Sequence, residues 1–533
     1  MNRAFLDEST DVAKNYIRTI AFIDDEVEFD VKNTTSDHLL DANDLTKRFA
    51  DAGKSCTFFK MQSADEKNSI VKLLQNSDVC ILDWKLTFPG TVENVPEDQL
   101  EEDIEDDEGR GKHAKKLLKE IIANQNNSPK LIVIYTAERD TGPIYDSIKK
   151  IFSEKIFQEN EDELWLQTDR YRIVICLKPQ LSNSHNRELA QRSIPYAELP
   201  QLIYREFAHL TGGLVSNVVL RALTALKDNS NRLLQLYNKK LDPAFLAHRA
   251  MLAVPDDAGE LLKDSLVGSI DALFSYENIS QRCSYPYIES WIDHIDTFVE
   301  NEIEIKQKNL SIDGNIRKEW QKDGFKKAMC NLWEASLSGQ PPIKKIESKE
   351  RELHRNTHKY YTPQNSSPVG ANEDLAILTH HKSNLLQPGC IPQLTLGTVV
   401  KSISQGKYWL CIQQRCDSVR LNVDEPRSFL FLPLVKTEKQ FDIIYKNTSE
   451  QYIRLQIKNK NCFDLKTIPF KQSHDGIVSA KQQENNFQFQ DAEGSSFEWI
   501  LDLKESHAQK IVNEFAASLS RVGLDESEWL RRS

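Results

Sequence analysis

Five polar residues close four apolar runs that lie far apart in the chain. Asp24 and Asp25 end the run in IAFIDDE, Asp83 that in VCILDWK, Thr136 that in LIVIYTA and Lys178 that in IVICLKP, with Pro179 directly after the lysine. Three carboxylates, a hydroxyl and an amine are the groups needed to move a phosphoryl group onto an aspartate. A carboxylate can attack phosphorus only where its charge and that of the incoming group are neutralised. Mg²⁺ held by a few carboxylates and waters does part of this, and Asp24, Asp25 and Asp83 are the candidate metal ligands. Lys178 would act as a compact positive charge on one phosphoryl oxygen and the Thr136 hydroxyl as a donor to another. Asp83 is then the phosphoacceptor. Positioning and electrostatics carry most of phosphoryl transfer, so little else is required.

Bringing these residues together needs a parallel α/β sheet, in which ligand sites form beyond the carboxyl ends of the strands. The four runs lack period-two alternation, as expected of strands covered on both faces. Between them NDLTKRFADAGK, ADEKNSIVKLLQNS, GKHAKKLLKEIIANQ and TGPIYDSIKKIF place apolar residues every three or four positions and predict helices, and CTFFKM predicts a second strand. Each residue alone has an ordinary alternative: Asp-Asp as a turn, Thr as a helix cap, Lys-Pro as a loop. It is the joint order that points to a site.

These segments resemble the receiver domain of two-component response regulators, a flavodoxin-like, doubly wound module whose aspartate takes phosphate from a histidine kinase. All five positions match by type and order over about the first 210 residues. The resemblance implies phosphorylation of Asp83, a Mg²⁺ cofactor, and a histidine kinase or sensor ATPase as partner. It also implies a Lys178–Pro179 peptide bond that is often cis. Two departures stand out. Asp83 to Thr136 spans 53 positions and Thr136 to Lys178 spans 42, more than a minimal βα repeat needs, so insertions are expected in loops. Ile175 occupies the fifth-strand position where many receivers carry a rotating aromatic residue, so an aromatic flip there is not the route of any signal.

An acidic insert at about 88–108, containing VENVPEDQLEEDIEDDE, reads as a solvated loop by its charge density. The alternative is a segment that competes with phosphate at the site, with Gly111 as its hinge. Residues 211–340 then read as helix after helix, the aromatic and Leu positions forming a core or docking a kinase helix or a second copy. Residues 341–388 read as a linker by composition. Its basic residues Lys344, Lys345, Arg351 and Arg355 are better solvated than used for nucleic acid. From 389 to 533 short strands separated by Gly, Asn, Asp and Ser predict a barrel or sandwich closed by an amphipathic terminal helix. Its most chemical feature is Cys411, Cys416, Asp417 and Arg420 in CIQQRCDSVR. Zinc would need closer ligand pairs and two more donors, which His380 and His381 cannot be shown to supply.

The 533 residues imply two to four domains, so the receiver is only part of the molecule. With 68 basic and 80 acidic side chains the net charge is −12, which disfavours nonspecific nucleic-acid binding. No apolar run approaches a membrane span and the N-terminus lacks a signal-peptide core, so a cytoplasmic location is expected. Nine scattered cysteines suit reduced thiols. YWLCIQQRCDSVRL followed by FLFLPL resembles receiver-containing proteins encoded beside sensor ATPases in bacterial anti-phage loci. No hydrolase or nuclease motif is present, and three readings stay open: a phosphorylation-responsive signalling protein with a downstream effector, an effector enzyme with its active site in the C-terminal domain, and a phosphate sink or scaffold.

Overall fold

Burial on both faces is what the four apolar runs share, and a sheet between two helical layers is the structure that supplies it. The computed structural model describes residues 5–28, 40–60, 66–86, 111–123, 129–153, 156–179, 193–252, 254–295, 297–337, 339–366, 369–383, 389–422, 425–457, 465–473, 476–483 and 486–519. The acidic insert lies outside them. The chain divides into two compact units, Met1–Thr297 with Asn301–Glu350, and Phe298–Glu300 with Arg351–Ser533.

In the first unit, strands β1 (Thr19–Ile23), β2 (Ser55–Phe59), β3 (Val79–Leu82), β4 (Lys130–Thr136), β5 (Ile156–Asn160), β6 (Trp165–Thr168) and β7 (Tyr171–Leu177) form one sheet in the order β2-β1-β3-β4-β7-β6-β5. The pairs from β2 to β7 are parallel. Successive residues point to opposite faces. Ala21, Ile23, Cys80, Leu82, Ile132 and Ile134 therefore pack with α3 (Lys67–Asn76), α4 (Lys112–Ala123) and α5 (Gly142–Phe152). Ile20, Phe22, Val79, Ile81, Val133 and Tyr135 pack with α1 (Phe5–Tyr16), α2 (Ala42–Asp51) and α6 (Leu199–Thr211). Each Val, Leu, Ile or Phe side chain among them, fully buried, contributes roughly 1.5–3 kcal/mol of transfer free energy. Two buried lysines finish helices: Lys130 Nζ donates to the carbonyls of Leu74, Gln75 and Ser77 past α3, and Lys54 Nζ to those of Lys14 and Ile17 past α1, satisfying carbonyls that a helix end leaves unpaired.

The sequence predicts loop within the 42-position spacing, and the structure differs. Beyond α5 the spacing holds an antiparallel hairpin, β5 and β6, added to the sheet beside β7. Leu164 and Leu166 reach the core while β5 carries Gln158, Glu159 and Asn160 at the sheet edge, a polar edge of the kind that resists further pairing. Nor is any peptide bond among the described residues cis, Lys178–Pro179 included.

After α6 come α7 (Leu214–Leu236), α8 (Asp242–Met251), α9 (Ala258–Tyr276), α10 (Tyr285–His294), α11 (Gly314–Asp323) and α12 (Phe325–Ser336). The expected all-helical pattern is interrupted by a hairpin of β8 (Glu302–Ile305) and β9 (Lys308–Ser311), where Ile303, Ile305 and Leu310 are buried on one face. The stretch 341–388, read as a linker by composition, contains helices among its described residues. It holds α13 (Ile343–Leu353) and α14 (Ala371–His380), and the boundary between the two units falls inside α13. Lys, Glu and Arg are good helix formers, and Ile346 and Leu353, seven apart, are buried.

The second unit is antiparallel. Strands β10 (Thr398–Ser402), β11 (Tyr408–Cys411), β12 (Arg427–Lys436), β13 (Ile443–Lys446), β14 (Tyr452–Ile457), β15 (Lys466–Phe470), β16 (Lys481–Gln483), β17 (Asn486–Gln490) and β18 (Ser496–Asp502) run in the order β13-β14-β12-β11-β10-β18-β17-β16, with β15 also paired to β12. A bridge from Phe470 to Asp491 joins β15 to the end of β17 and closes β12, β15, β17, β18, β10 and β11 into a ring. Alternation sorts the side chains: Val400, Trp409, Cys411, Phe429, Phe431 and Phe470 form one core, and Val399, Leu410, Leu432 and Leu434 another beneath Ala508, Ile511 and Phe515 of α15 (Glu505–Leu519).

Candidate functional site

Asp24, Asp83 and Lys178 each stand one step past a strand and Thr136 at the last position of one, with Asp25 a further step beyond Asp24, and the backbone ladder continues through the strand ends. Asp24 N–H donates to Phe59 O at 3.2 Å, Asp83 N–H to Ile23 O at 2.9 Å and Lys178 N–H to Thr136 O at 2.8 Å. Four side chains from four strands are thereby fixed over the carboxyl edge of one sheet. Asp24, Asp83, Thr136 and Lys178 are buried and Asp25 is half-buried.

Lys178 Nζ donates to Asp24 Oδ2 and to Asp83 Oδ2, each at 2.7 Å. The second Asp24 oxygen accepts Glu26 N–H at 2.8 Å, an Asx-type turn that orients the carboxylate. Thr136 Oγ1 accepts Glu138 N–H at 3.2 Å. One oxygen from each of Asp24, Asp25 and Asp83 lies within 4.8 Å of the others.

The charges do not balance. Burial pushes the Asp24 carboxyl up to about 6; the Lys178 ammonium opposes the rise and the Asp83 carboxylate adds to it. Burial works against a charged Lys178 as well, but the carboxylates of Asp24 and Asp83 outweigh it and raise its pKa. The Lys178 ammonium is shared between the two buried carboxylates of Asp24 and Asp83, and the Asp25 carboxylate stands beside them, so negative charge gathers at the site. A divalent cation is the natural complement, and an all-oxygen donor set suits Mg²⁺ rather than a softer metal.

Residues 16–183 match the family model of the response receiver domain. No curated protein and no solved structure matches the chain. The receiver domain implies response-regulator-like, phosphoacceptor signalling, and receiver domains use Mg²⁺, which the acidic cluster fits. The matched segment ends before α6, and the rest of the chain carries no family assignment.

Around the receiver site two further residues matter. Trp84, directly after Asp83, is buried, and Gly111, at the start of α4, faces its indole. Gly111 has φ +79°, and a Cβ there would come within 2.4 Å of the ring. Gly111 is therefore packed against the residue that follows Asp83, while the insert for which it was the candidate hinge lies outside the described residues. Sequence spacing alone held no signal for this packing. Ile175 is aliphatic and buried in the core on the α3–α5 face.

The C-terminal tetrad is split between core and surface. Cys411 points into the ring core, Cys416 and Asp417 are exposed on a short turn at Arg415–Asp417, and Arg420 adopts φ +58°. A cavity of about 840 Å³ in this unit is lined by His354, Arg355, Lys359, Lys439, Phe441 and Arg454 among others, and by none of the tetrad. His380 stacks on His507 at 3.7 Å, and among the described residues Asp24, Asp25 and Asp83 are the one group of three placed to share an ion. The eight described cysteines are all free thiols. No described helix is long and apolar enough to cross a membrane.

Proposed function

We propose that this protein is a response-regulator-like signalling protein whose Asp83 accepts a phosphoryl group from a phosphohistidine on a partner histidine kinase or sensor ATPase. The observation that carries the reading is Lys178 Nζ, buried and held at 2.7 Å from both Asp24 and Asp83, inside a segment that matches the receiver family. An Asp83 carboxylate oxygen bonds to phosphorus as the P–N bond breaks, and the imidazole nitrogen keeps the electron pair and takes up a proton. Asp24, Asp25 and Asp83 would hold Mg²⁺, which when bound would supply charge neutralisation at the phosphoryl oxygens. Lys178 already contacts Asp83 and is the cation within reach of an added phosphoryl oxygen. Thr136 accepts a backbone N–H through Oγ1, so its own proton serves as a donor to a second one.

Phosphorylation then shifts a conformational equilibrium and alters partner binding. Because Ile175 is not aromatic, the relay runs through the Lys178 and Thr136 strand ends rather than a ring flip at that position. We infer a cytoplasmic protein of bacterial anti-phage defence, a setting supported by the resemblance of the YWLCIQQRCDSVRL and FLFLPL strands. We also infer the four-part division of the sequence, with a receiver over 1–210 and a β-rich domain over 389–533, as the functional organisation. An effector enzyme built on Cys416, Asp417 and Arg420 draws no support from their exposed placement, outside the cavity of this unit.

The test is phosphate-affinity gel mobility after incubation with Mg²⁺ and phosphoramidate. A retarded band that disappears in Asp83→Asn and on chelation of the metal is expected. An unretarded wild type with both phosphoramidate and a phosphorylated kinase would move the scaffold reading to the front.

A further inference from the structure

The helices that follow the receiver expose an apolar surface that nothing in their own unit covers. Of the twenty-one large apolar side chains that stand exposed among the described residues, thirteen lie between Val215 and Tyr276, each at least 40 % exposed. Along α7, Val215, Val219 and Leu223 recur every fourth position and form a stripe. In α9 only Ala258 of nineteen residues is buried, although the helix carries Leu261, Leu262, Leu266 and Val267. A helix apolar to this degree is normally found buried.

The two helices run antiparallel, joined by Tyr237 Oη to Ser269 Oγ at 2.8 Å and by Arg221 with Glu277 at 4.0 Å. Since Tyr237 directly follows α7 and meets Ser269, the α9 residues before Ser269 extend past the last turn of α7. That accounts for the uncovered first half of α9. At the other end the pair is fixed to the receiver: Asn217 Nδ2 donates to Ser9 Oγ at 2.9 Å, and Lys227 lies 3.5 Å from Asp78. The exposed face is thus part of a defined structure and not a frayed end.

We propose that this face is the interface of a homodimer, α7 and α9 of one copy packing on the same helices of a second. The ten of these side chains that lie on α7 and α9 together expose on the order of 1,000 Å², more than the ~300–600 Å² of the largest patch on a typical monomer and enough for the ~800 Å² that each partner gives to a standard interface. Charge favours a copy over a strongly charged partner. Residues 214–277 hold seven basic and eight acidic side chains, against a net of −12 for the whole chain, so two copies meet here without the repulsion they carry elsewhere. An isologous contact needs one self-complementary patch, and a mixed-charge rim around Leu and Val is such a patch. The proposal does not depend on phosphorylation of Asp83.

Sedimentation equilibrium of the full chain, wild type beside the Val219→Lys, Leu266→Lys double variant, tests it. Wild type is expected at twice the chain mass and the double variant at the single mass, with Ile403→Lys, outside the face, remaining dimeric. A second measurement does not rely on the variant folding: backbone hydrogen exchange of wild type should slow in α9 as protein concentration rises. A monomeric wild type, a dimer that survives both lysines, or exchange in α9 that ignores concentration and slows only with phosphatidylglycerol vesicles or an added protein would overturn the proposal.

Discussion

Asp24 bears the electrostatic cost of the receiver site. Its carboxylate is buried beside Asp83 and shares one ammonium with it, so a bound divalent cation would offset the negative charge gathered there. Asn in its place keeps one oxygen, which can accept from Glu26 N–H or from Lys178 but not from both, while removing one negative charge. We expect Asp24→Asn to melt at or above the wild-type temperature in chelator. Mg²⁺ should raise the wild-type transition, by about 2.7 kcal/mol at a hundred times the dissociation constant, and leave the variant unmoved. Equal metal-induced shifts in the two proteins, read by differential scanning fluorimetry, would show that Asp24 is not a ligand.

At the scale of elements, the site rests on a few contacts that fix helix to strand. Gly111 lets α4 begin against the indole of Trp84. Gly111→Ala should cost about 2 kcal/mol or more, from the left-handed backbone and the forced movement of the ring, measured by urea denaturation; an unchanged midpoint would mean the ring moves freely. Arg172 on β7 meets Glu206 on α6 at 2.8 Å with both side chains more than nine-tenths buried, and its guanidinium also donates to Gln167 and stacks 4.3 Å from the Trp165 ring. Removing one partner of a buried pair leaves the other uncompensated. Glu206→Ala should therefore lower stability by roughly 3 kcal/mol, and a loss under 1 kcal/mol would place water at the pair. The parallel core strands and their helices were legible in the sequence because a short continuous apolar run between turns fits a doubly covered strand, and an apolar stripe at a 3.6-residue period fits a helix lying on it. The β5–β6 hairpin was not, since an edge strand such as FQEN carries no apolar alternation. Likewise α13 draws on Lys and Glu propensity and only two buried apolar residues, too sparse for a periodic signal. The five site residues were legible because strand order converts sequence position into convergence, whereas the Gly111–Trp84 contact spans the insert and has no local signature.

For the molecule as a whole, two units with separate cores imply two responses to conditions. In the C-terminal unit His381 is 5 % exposed and bridges Leu503. Burial lowers its pKa to about 4; a backbone hydrogen bond with Ile444 opposes this, and the nearby His380, His507 and Lys504 add to it. The unfolded chain then binds the extra proton between about pH 6.5 and pH 4, so stability from this residue is complete above that window and lost as pH falls through it. Calorimetry of the full chain should show the transition of this unit falling over that range, with His381→Asn flattening the dependence; an equally steep variant would assign the effect to other groups. The central claim concerns the other unit: a chain with a receiver at one end acts by taking phosphate on one aspartate. The direct measurement is borohydride reduction of the protein after reaction with phosphoramidate and Mg²⁺, followed by peptide mass spectrometry, because an acyl phosphate on aspartate is reduced to homoserine. The account predicts homoserine at position 83 and at neither 24 nor 25. An unmodified Asp83 peptide, or reduction at Asp24 or Asp25 instead, would contradict it.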